Sequence, residues 1–126
     1  KACEMMVALA EEGWSDGEIA RAIVRRYLEE AGNTAPDTII LGCTHFPLLK
    51  DAIREVARDG VLLVDSASTT ADAVSRLLDR HEACRAGQAP GSLRLLATDG
   101  AMRFARVGGR FLGQELHQGD IELVDL

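Results

Sequence analysis

Cys43 and His45 stand two residues apart, where a short apolar run gives way to a proline-started helix, in Gly42-Cys43-Thr44-His45-Phe46-Pro47. A thiolate is a competent base or nucleophile, and the partial positive charge at a helix N-terminus favours that form over the thiol. An imidazole two residues on can carry a proton to or from the sulfur. The amides of Thr44 and His45, expected near the helix start, would attract a carboxylate. Gly42 would let the backbone turn and a substrate come close. Asp65-Ser66 sets a carboxylate and a hydroxyl at the end of the next apolar run. Plainer readings stand beside these. A cysteine at a strand end is often a small buried hydrophobe, and Asp65-Ser66 can be a helix cap and nothing more. Cys43-x-His45 is half of a metal ligand set, but no second Cys/His pair has ligand spacing. Cys3 is expected to pack, and Cys84, in a polar loop, to be incidental.

The elements that must position these residues follow from periodicity and punctuation. Ser15 with Glu18 reads as a capping box. Behind it Ile19, Ile23, Val24, Tyr27 and Leu28 recur at helical spacing, and Gly32 is placed to cap the helix end. Thr38-Ile39-Ile40-Leu41 is a buried strand ended by Gly42. Pro47 opens a second helix with an apolar face of Leu48, Leu49, Ala52, Ile53 and Val56, stopped by Gly60. Val61 to Val64 is the next buried strand. Ser68 would cap a third helix burying Ala71, Val74, Leu77 and Leu78. Glu82 to Ser92 reads as a polar loop. Leu93 to Ala97 is a strand, Ala101 to Leu112 a helix capped by Asp99, and Ile121 to Val124 a last strand. Strands that alternate with helices and are apolar on both faces predict an α/β fold, a largely parallel sheet flanked by helices. In such sheets ligands bind beyond the carboxyl ends of the strands, where Gly42-Cys43 and Asp65-Ser66 fall.

Composition narrows the function classes. With 47% hydrophobic residues and 4% aromatics among 126, a core of Leu, Ile, Val and Ala is available. Fourteen Lys and Arg against twenty Asp and Glu give a net charge of −6. With no basic run, the chain has no electrostatic footprint for nucleic acid or an anionic membrane. No apolar run approaches the roughly 20 residues of a membrane span, and no signal-peptide pattern opens the chain. Three cysteines without a C-x-x-C pair suit free thiols in a reducing, cytoplasmic setting. The start at Lys1, within an alanine-rich apolar stretch, leads us to expect a missing upstream portion.

The string Leu41-Gly42-Cys43-Thr44-His45-Phe46-Pro47-Leu48-Leu49 resembles the second cysteine signature of bacterial glutamate racemases. Aspartate and hydantoin racemases of the same superfamily keep a Gly-Cys here but usually lack the Thr-His-aromatic-Pro that follows. The resemblance continues in order: Val7 to Gly13 is similar to an apolar segment ending in Glu-x-Gly, and Val64-Asp65-Ser66 to the next strand end. Thr98-Asp99-Gly100, the helix around Phe104 and Glu122 to Leu126 are similar to the C-terminal segment. It spans nearly the whole chain, which answers to the second half of such an enzyme. Glu4 stands where the family commonly has proline, and Phe46 where many members have tyrosine. Asn33-Thr34-Ala35 superficially imitates the family's first-half Cys-Asn-Thr, but no cysteine precedes it and it leads into a strand, so it reads as a loop.

The resemblance implies a two-lobed, pseudo-symmetric racemase fold. Residues 1–66 would be the C-terminal part of the second catalytic lobe, and 67–126 a return segment packing on an absent first lobe. It implies a two-cysteine racemase that interconverts L- and D-glutamate for peptidoglycan synthesis, with no pyridoxal phosphate, other cofactor or metal. Cys43 would be one acid/base, assisted by His45 and Glu11, with Thr44 and Gly42 against the substrate; Asp65 and Ser66 are further candidates. The expected partners are glutamate and the N-terminal half of the same enzyme, with homo-oligomer formation and no activity from this half alone. A dicarboxylate- or partner-binding module without turnover, and an aspartate racemase-like enzyme, are the alternatives.

Overall fold

The computed structural model describes residues 1–32, 36–87 and 91–125. The loop expected at Asn33-Thr34-Ala35, and residues 88–90 of the loop expected from Glu82 to Ser92, lie outside the described residues. The chain divides into two compact units, Lys1–Arg85 and Ala86–Leu126, each holding one pair of parallel strands. The α/β class with parallel pairing is therefore the class observed.

The first unit runs α1 (Glu4–Glu12), α2 (Gly17–Glu30), β1 (Thr38–Leu41), a 3₁₀ turn (Phe46–Leu49) continuing into α3 (Lys50–Val56), β2 (Leu62–Asp65) and α4 (Ser66–Arg80). Helix α1 has no side-chain cap at Cys3. Its first turn is held from outside instead: the Met5 amide donates to the Tyr27 hydroxyl at 3.2 Å. Its end is set by Gly13, whose φ of 80° only glycine adopts cheaply. The Gly13 amide donates to the Ala10 carbonyl and the Trp14 amide to that of Leu9, the paired bonds of a Schellman motif.

In α2 the expected capping box is not made. Asp16 is the N-cap and makes no side-chain cap bond. The box's acidic position then falls on Ile19, so Glu18 pairs with Arg21 at 2.7 Å instead. Ala20 and Val24 are the buried residues of α2, with Ile23, Tyr27 and Leu28 packed beside them; Ile19 stays outside. They share one core with Met6, Leu9 and Ala10 of α1, with Leu41, and with Leu49, Ala52 and Ile53 of the turn and α3. Helix α3 has ended at Val56, before Gly60, and Gly60 occupies the left-handed corner of a turn closed by the Val61 amide on the Arg58 carbonyl.

Strands β1 and β2 pair in register from Thr38↔Leu62 to Leu41↔Asp65. They were expected to be buried on both faces, but Leu41 and Asp65 are the buried residues, while Ile40 is 75% exposed. Among the described residues this sheet has two strands, too narrow to be covered throughout by the helices of the unit. Helix α4 also departs from expectation. Its cap is Asp65 rather than Ser68, and none of its residues is buried; Val74, Leu77 and Leu78 are 47%, 51% and 41% exposed.

In the second unit β3 (Leu95–Ala97) and β4 (Ile121–Leu123) flank α5 (Ala101–Leu112), with register Leu95↔Ile121 to Ala97↔Leu123. Helix α5 packs through small residues. Ala101, Ala105 and Gly109 recur every four positions and are its buried face, with Ile121, Leu95, Ala97 and Leu116 around them. The N-cap is Gly100 rather than Asp99, whose carboxylate accepts from the Gly100 amide at 2.6 Å. At Gly109 an added Cβ would meet the Gln114 carbonyl oxygen at 2.7 Å, whereas at Gly108 it meets side-chain carbons no closer than 3.5 Å. Gly109→Ala should therefore destabilise this unit by about 1–3 kcal/mol, and Gly108→Ala should stabilise it by up to about 1 kcal/mol through helix propensity. Urea midpoints of the two variants must move in opposite directions.

Asp65 is 3% exposed and its carboxylate is fully engaged. Oδ1 accepts from the Ser68 amide at 2.8 Å; Oδ2 accepts from the Ser68 hydroxyl at 3.1 Å and from the Lys50 ammonium at 2.8 Å. The Lys50 bond, followed by that of the Ser68 amide, depresses its pKa from the ordinary 3.8 to about 2. Because the folded value lies below the unfolded one, the stabilisation is fully present above about pH 4 and is lost as pH falls from about 4 to about 2. Acid titration of the fold should show this limb in the native chain, and Asp65→Asn should remove it.

Candidate functional site

Both carboxyl strand ends of the first unit lie side by side, since Leu41 pairs with Asp65 at the last rung of the ladder. Beyond Leu41 the chain leaves the sheet through Gly42, whose amide donates to the Ile40 carbonyl at 3.1 Å. Gly42 is not in the left-handed region, so the turn does not require glycine there. A Cβ on it would meet nothing within 4 Å, so the chain's own packing does not demand glycine either.

Cys43, Thr44 and His45 follow in a tight bend rather than in the first turn of an α-helix, because the 3₁₀ turn intervenes before α3. The Phe46 amide donates to the Cys43 carbonyl and the Leu48 amide to the His45 carbonyl. This folds the segment so that the side chains of Cys43 and Thr44 both approach the His45 ring. Nδ1 of His45 lies 3.9 Å from Cys43 Sγ and 3.5 Å from Thr44 Oγ1. On the far side of the ring, Nε2 lies 3.3 Å from Glu11 Oε1, with both side chains about three-quarters covered. The Schellman end of α1 places Glu11 there, in the last helical turn. Of the two adjacent acids Glu11 and Glu12, Glu11 is thus the one on the imidazole.

The geometry fixes a direction for proton traffic. An ionised Glu11 can only accept, so with a neutral His45 it accepts a hydrogen bond from Nε2–H, which leaves Nδ1 as the acceptor. That acceptor faces the Cys43 thiol. A thiol proton moved to Nδ1 would create an imidazolium beside the Glu11 carboxylate, the arrangement that activates a nucleophilic or basic thiol. The separations are longer than the 2.6–3.2 Å of a tightened catalytic contact, as is common before a substrate is bound.

The remaining candidates separate from this array. Asp65 turns its carboxylate to Ser68 and Lys50, and Ser66, an exposed first residue of α4, accepts from Thr69 Oγ1 through its carbonyl at 3.4 Å. Both are occupied as helix-start residues. Cys3 packs against the core, and burial pushes its thiol pKa up. Cys84 is exposed and donates to Asp79 at 3.2 Å, which also raises its pKa. Lys50 was not singled out from sequence, although a cation at the first position of a helix opposes the helix dipole and so signals a partner elsewhere. Among the described residues no three His, Cys, Asp or Glu side chains converge as a metal site requires, and no helix is long and apolar enough to cross a membrane. A cavity of about 860 Å³ runs along β1, lined by its whole length and by α2, with Cys3, Gly42 and Phe46 at its wall. Cys43, His45 and Glu11 are not in that wall.

No family model matches the chain. Individual proteins do. A glutamate racemase of Geobacter metallireducens is 44% identical over all 126 residues, which are 46% of its length, and one of Neisseria gonorrhoeae is 40% identical over the same span and share. Among solved structures, the Thermus thermophilus glutamate racemase in complex with β-chloro-D-alanine superposes with a TM-score of 0.83 at 36% identity, covering 100% of this chain and 47% of that one. The Francisella tularensis glutamate racemase in complex with D-glutamate gives 0.77 at 28% identity, covering 98% and 45%. The chain spans about half the length of the relatives it matches. By sequence and by fold alike, the chain is similar to one half of a glutamate racemase chain.

Proposed function

We propose that this chain is the C-terminal half of a cofactor-independent glutamate racemase that interconverts L- and D-glutamate for peptidoglycan synthesis in the cytoplasm. The observation that carries this reading is the Cys43–His45–Glu11 array at the carboxyl end of the strand pair, in a chain up to 44% identical to glutamate racemases. Residues 1–66 belong to the second catalytic lobe and 67–126 return to the first.

Inverting an amino acid requires a proton to leave Cα on one face and another to arrive on the opposite face. Cys43, as thiolate, takes the Cα proton of L-glutamate and becomes the thiol; a second thiol, from the other half, delivers its proton to the far face and becomes the thiolate. In the reverse direction Cys43 is the acid. His45 exchanges the sulfur's proton through Nδ1, and Glu11 holds the ring in the required tautomer and stabilises its charged form. Thr44 Oγ1 and the amides of the bend are the groups available to a substrate carboxylate, and the open space over Gly42 leaves room for Cα. Hydrogen bonds to that carboxylate, in a site closed to water, stabilise the carbanion-like state.

In a complete racemase carrying this half, Cys43→Ala should abolish racemisation while the far-ultraviolet circular dichroism stays native. His45→Asn should slow the two directions unequally, by roughly 10²–10⁴-fold in the more affected one. Polarimetry from each enantiomer, with deuterium incorporation at Cα, measures both. Full racemisation by the alanine variant would sink the assignment of Cys43, and equal small losses in both directions would reduce His45 to packing.

The half alone is expected to be inactive and to self-associate. One face of the substrate lacks its proton donor, and Val74, Leu77, Leu78 and Ile40 are left wet. Full burial of such a side chain is worth roughly 1.5–3 kcal/mol; at 41–75% exposure each forfeits part of that, a sum that counts against the about 5–15 kcal/mol that holds a whole domain together. The unpaired edge of β1 adds a second drive to associate. Light scattering should report oligomers. A clean monomer, or racemisation by a preparation free of full-length enzyme, contradicts this.

A further inference from the structure

The segment that carries Cys43 leaves the sheet at Leu41 and runs to Lys50, where α3 begins. Three overlapping backbone bonds form a short ladder: the Phe46 amide on Cys43, the Leu48 amide on His45 and the Lys50 amide on Pro47. A ladder of this kind moves as one piece, so whatever holds Lys50 also holds the bend. Lys50 is held by Asp65, at 2.8 Å. Asp65 is in turn the β2 residue paired with Leu41, the position from which the segment departed. The side-chain bond therefore closes the excursion on itself, joining its far end to the rung beside its near end.

We infer that Lys50 and Asp65 form a clasp that positions the Cys43–His45 bend, with Lys50 as a positioning residue for the thiol. It rests on the racemase reading only for its catalytic significance. Several features fit a clasp better than a surface ion pair. The Asp65 side chain is almost completely covered, and its second oxygen is committed to the start of α4. The carboxylate is thus fixed before Lys50 reaches it. Removing the ammonium leaves a buried charge with one partner fewer, a situation in which the whole local arrangement relaxes rather than one bond. Substitution by arginine keeps a cation on a stem of similar reach.

Hydrogen exchange on the 126-residue chain tests this without reference to activity, so its outcome is separate from that of the racemase reading. Lys50→Met should lower protection of the Phe46, Leu48 and Lys50 amides about tenfold relative to the Val24 amide, which reports global opening. Lys50→Arg, which keeps the cation on a bulkier, planar group, should restore part of it. The ¹⁵N shifts of the His45 ring should move with the loss and return with the rescue. Asp65→Asn is the second variant, because asparagine keeps an oxygen to cap the Ser68 amide while removing the charge pair and the acceptor of the Ser68 hydroxyl; it should behave as Lys50→Met does. Unchanged relative protection in folded Asp65→Asn, or exchange of the three amides at random-coil rates in the unsubstituted folded chain, overturns the clasp.

Discussion

A thiol, an imidazole and a carboxylate that are to exchange a proton must be held at a few ångströms by groups that do not themselves react. In this chain that constraint is met by the buried contact between α1 and the Phe46–Leu49 turn. Leu49 and Ile53 are among the most completely buried side chains, in one core with Met6, Leu9 and Ala10. That contact fixes how the last turn of α1 lies against the bend after β1, and hence whether Glu11 meets His45. Tyr27 at one end of α1 and the Gly13 corner at the other set its length. The three side chains of the candidate site are thus brought together by packing outside it.

Most of the architecture was legible because apolar runs and punctuation are local signals. Thr38 to Leu41, the Ala101 to Leu112 helix and the strand starting at Ile121 read directly from their residues. The caps were harder. Ser15, Ser68 and Asp99 each have the chemistry of an N-cap, yet Asp16, Asp65 and Gly100 hold the positions. Several candidates within a few residues compete, and the winner depends on where tertiary packing starts the helix. Helix α1 was missed for a related reason, since Cys3 gives no cap signal and the Tyr27 hydroxyl comes from 22 residues away. At the site, Gly42, Cys43, Thr44 and His45 were legible from one contiguous string. That Glu11 rather than Glu12 faces His45 depends on a helix phase set at Gly13. Asp65 drew notice as a polar strand end, but its Lys50 partner lies fifteen residues back, beyond any short pattern.

The exposed apolar residues have their own logic. Helix α4 shows a regular apolar row, Val74 with Leu77 and Leu78, that is left about half exposed. A row at helical spacing is normally written for a packing partner. The hollow beside β1 is a second open surface, its wall mixing Ile40, Leu41 and Val61 with Lys1, Arg25 and Arg58, along a strand that among the described residues pairs only with β2. The chain matches a little under half of its relatives' length, and on the proposed reading such surfaces would receive the other half.

The array is also one-sided, which bears on how such a racemase divides its labour. His45 approaches Cys43 and Glu11 approaches His45, so on the proposed reading the pair would tune that sulfur alone. A reaction that uses a base on one face and an acid on the other needs each sulfur poised separately, because the group that accepts the proton in one direction must release it in the other. On the proposed reading, local assistance to Cys43 would leave the opposite thiol to be tuned by the other half. The two directions then have different barriers to assist even though the overall equilibrium between mirror-image substrates is even. A relay built from one helix end and one bend supplies that local control, because neither element has to reach across the substrate.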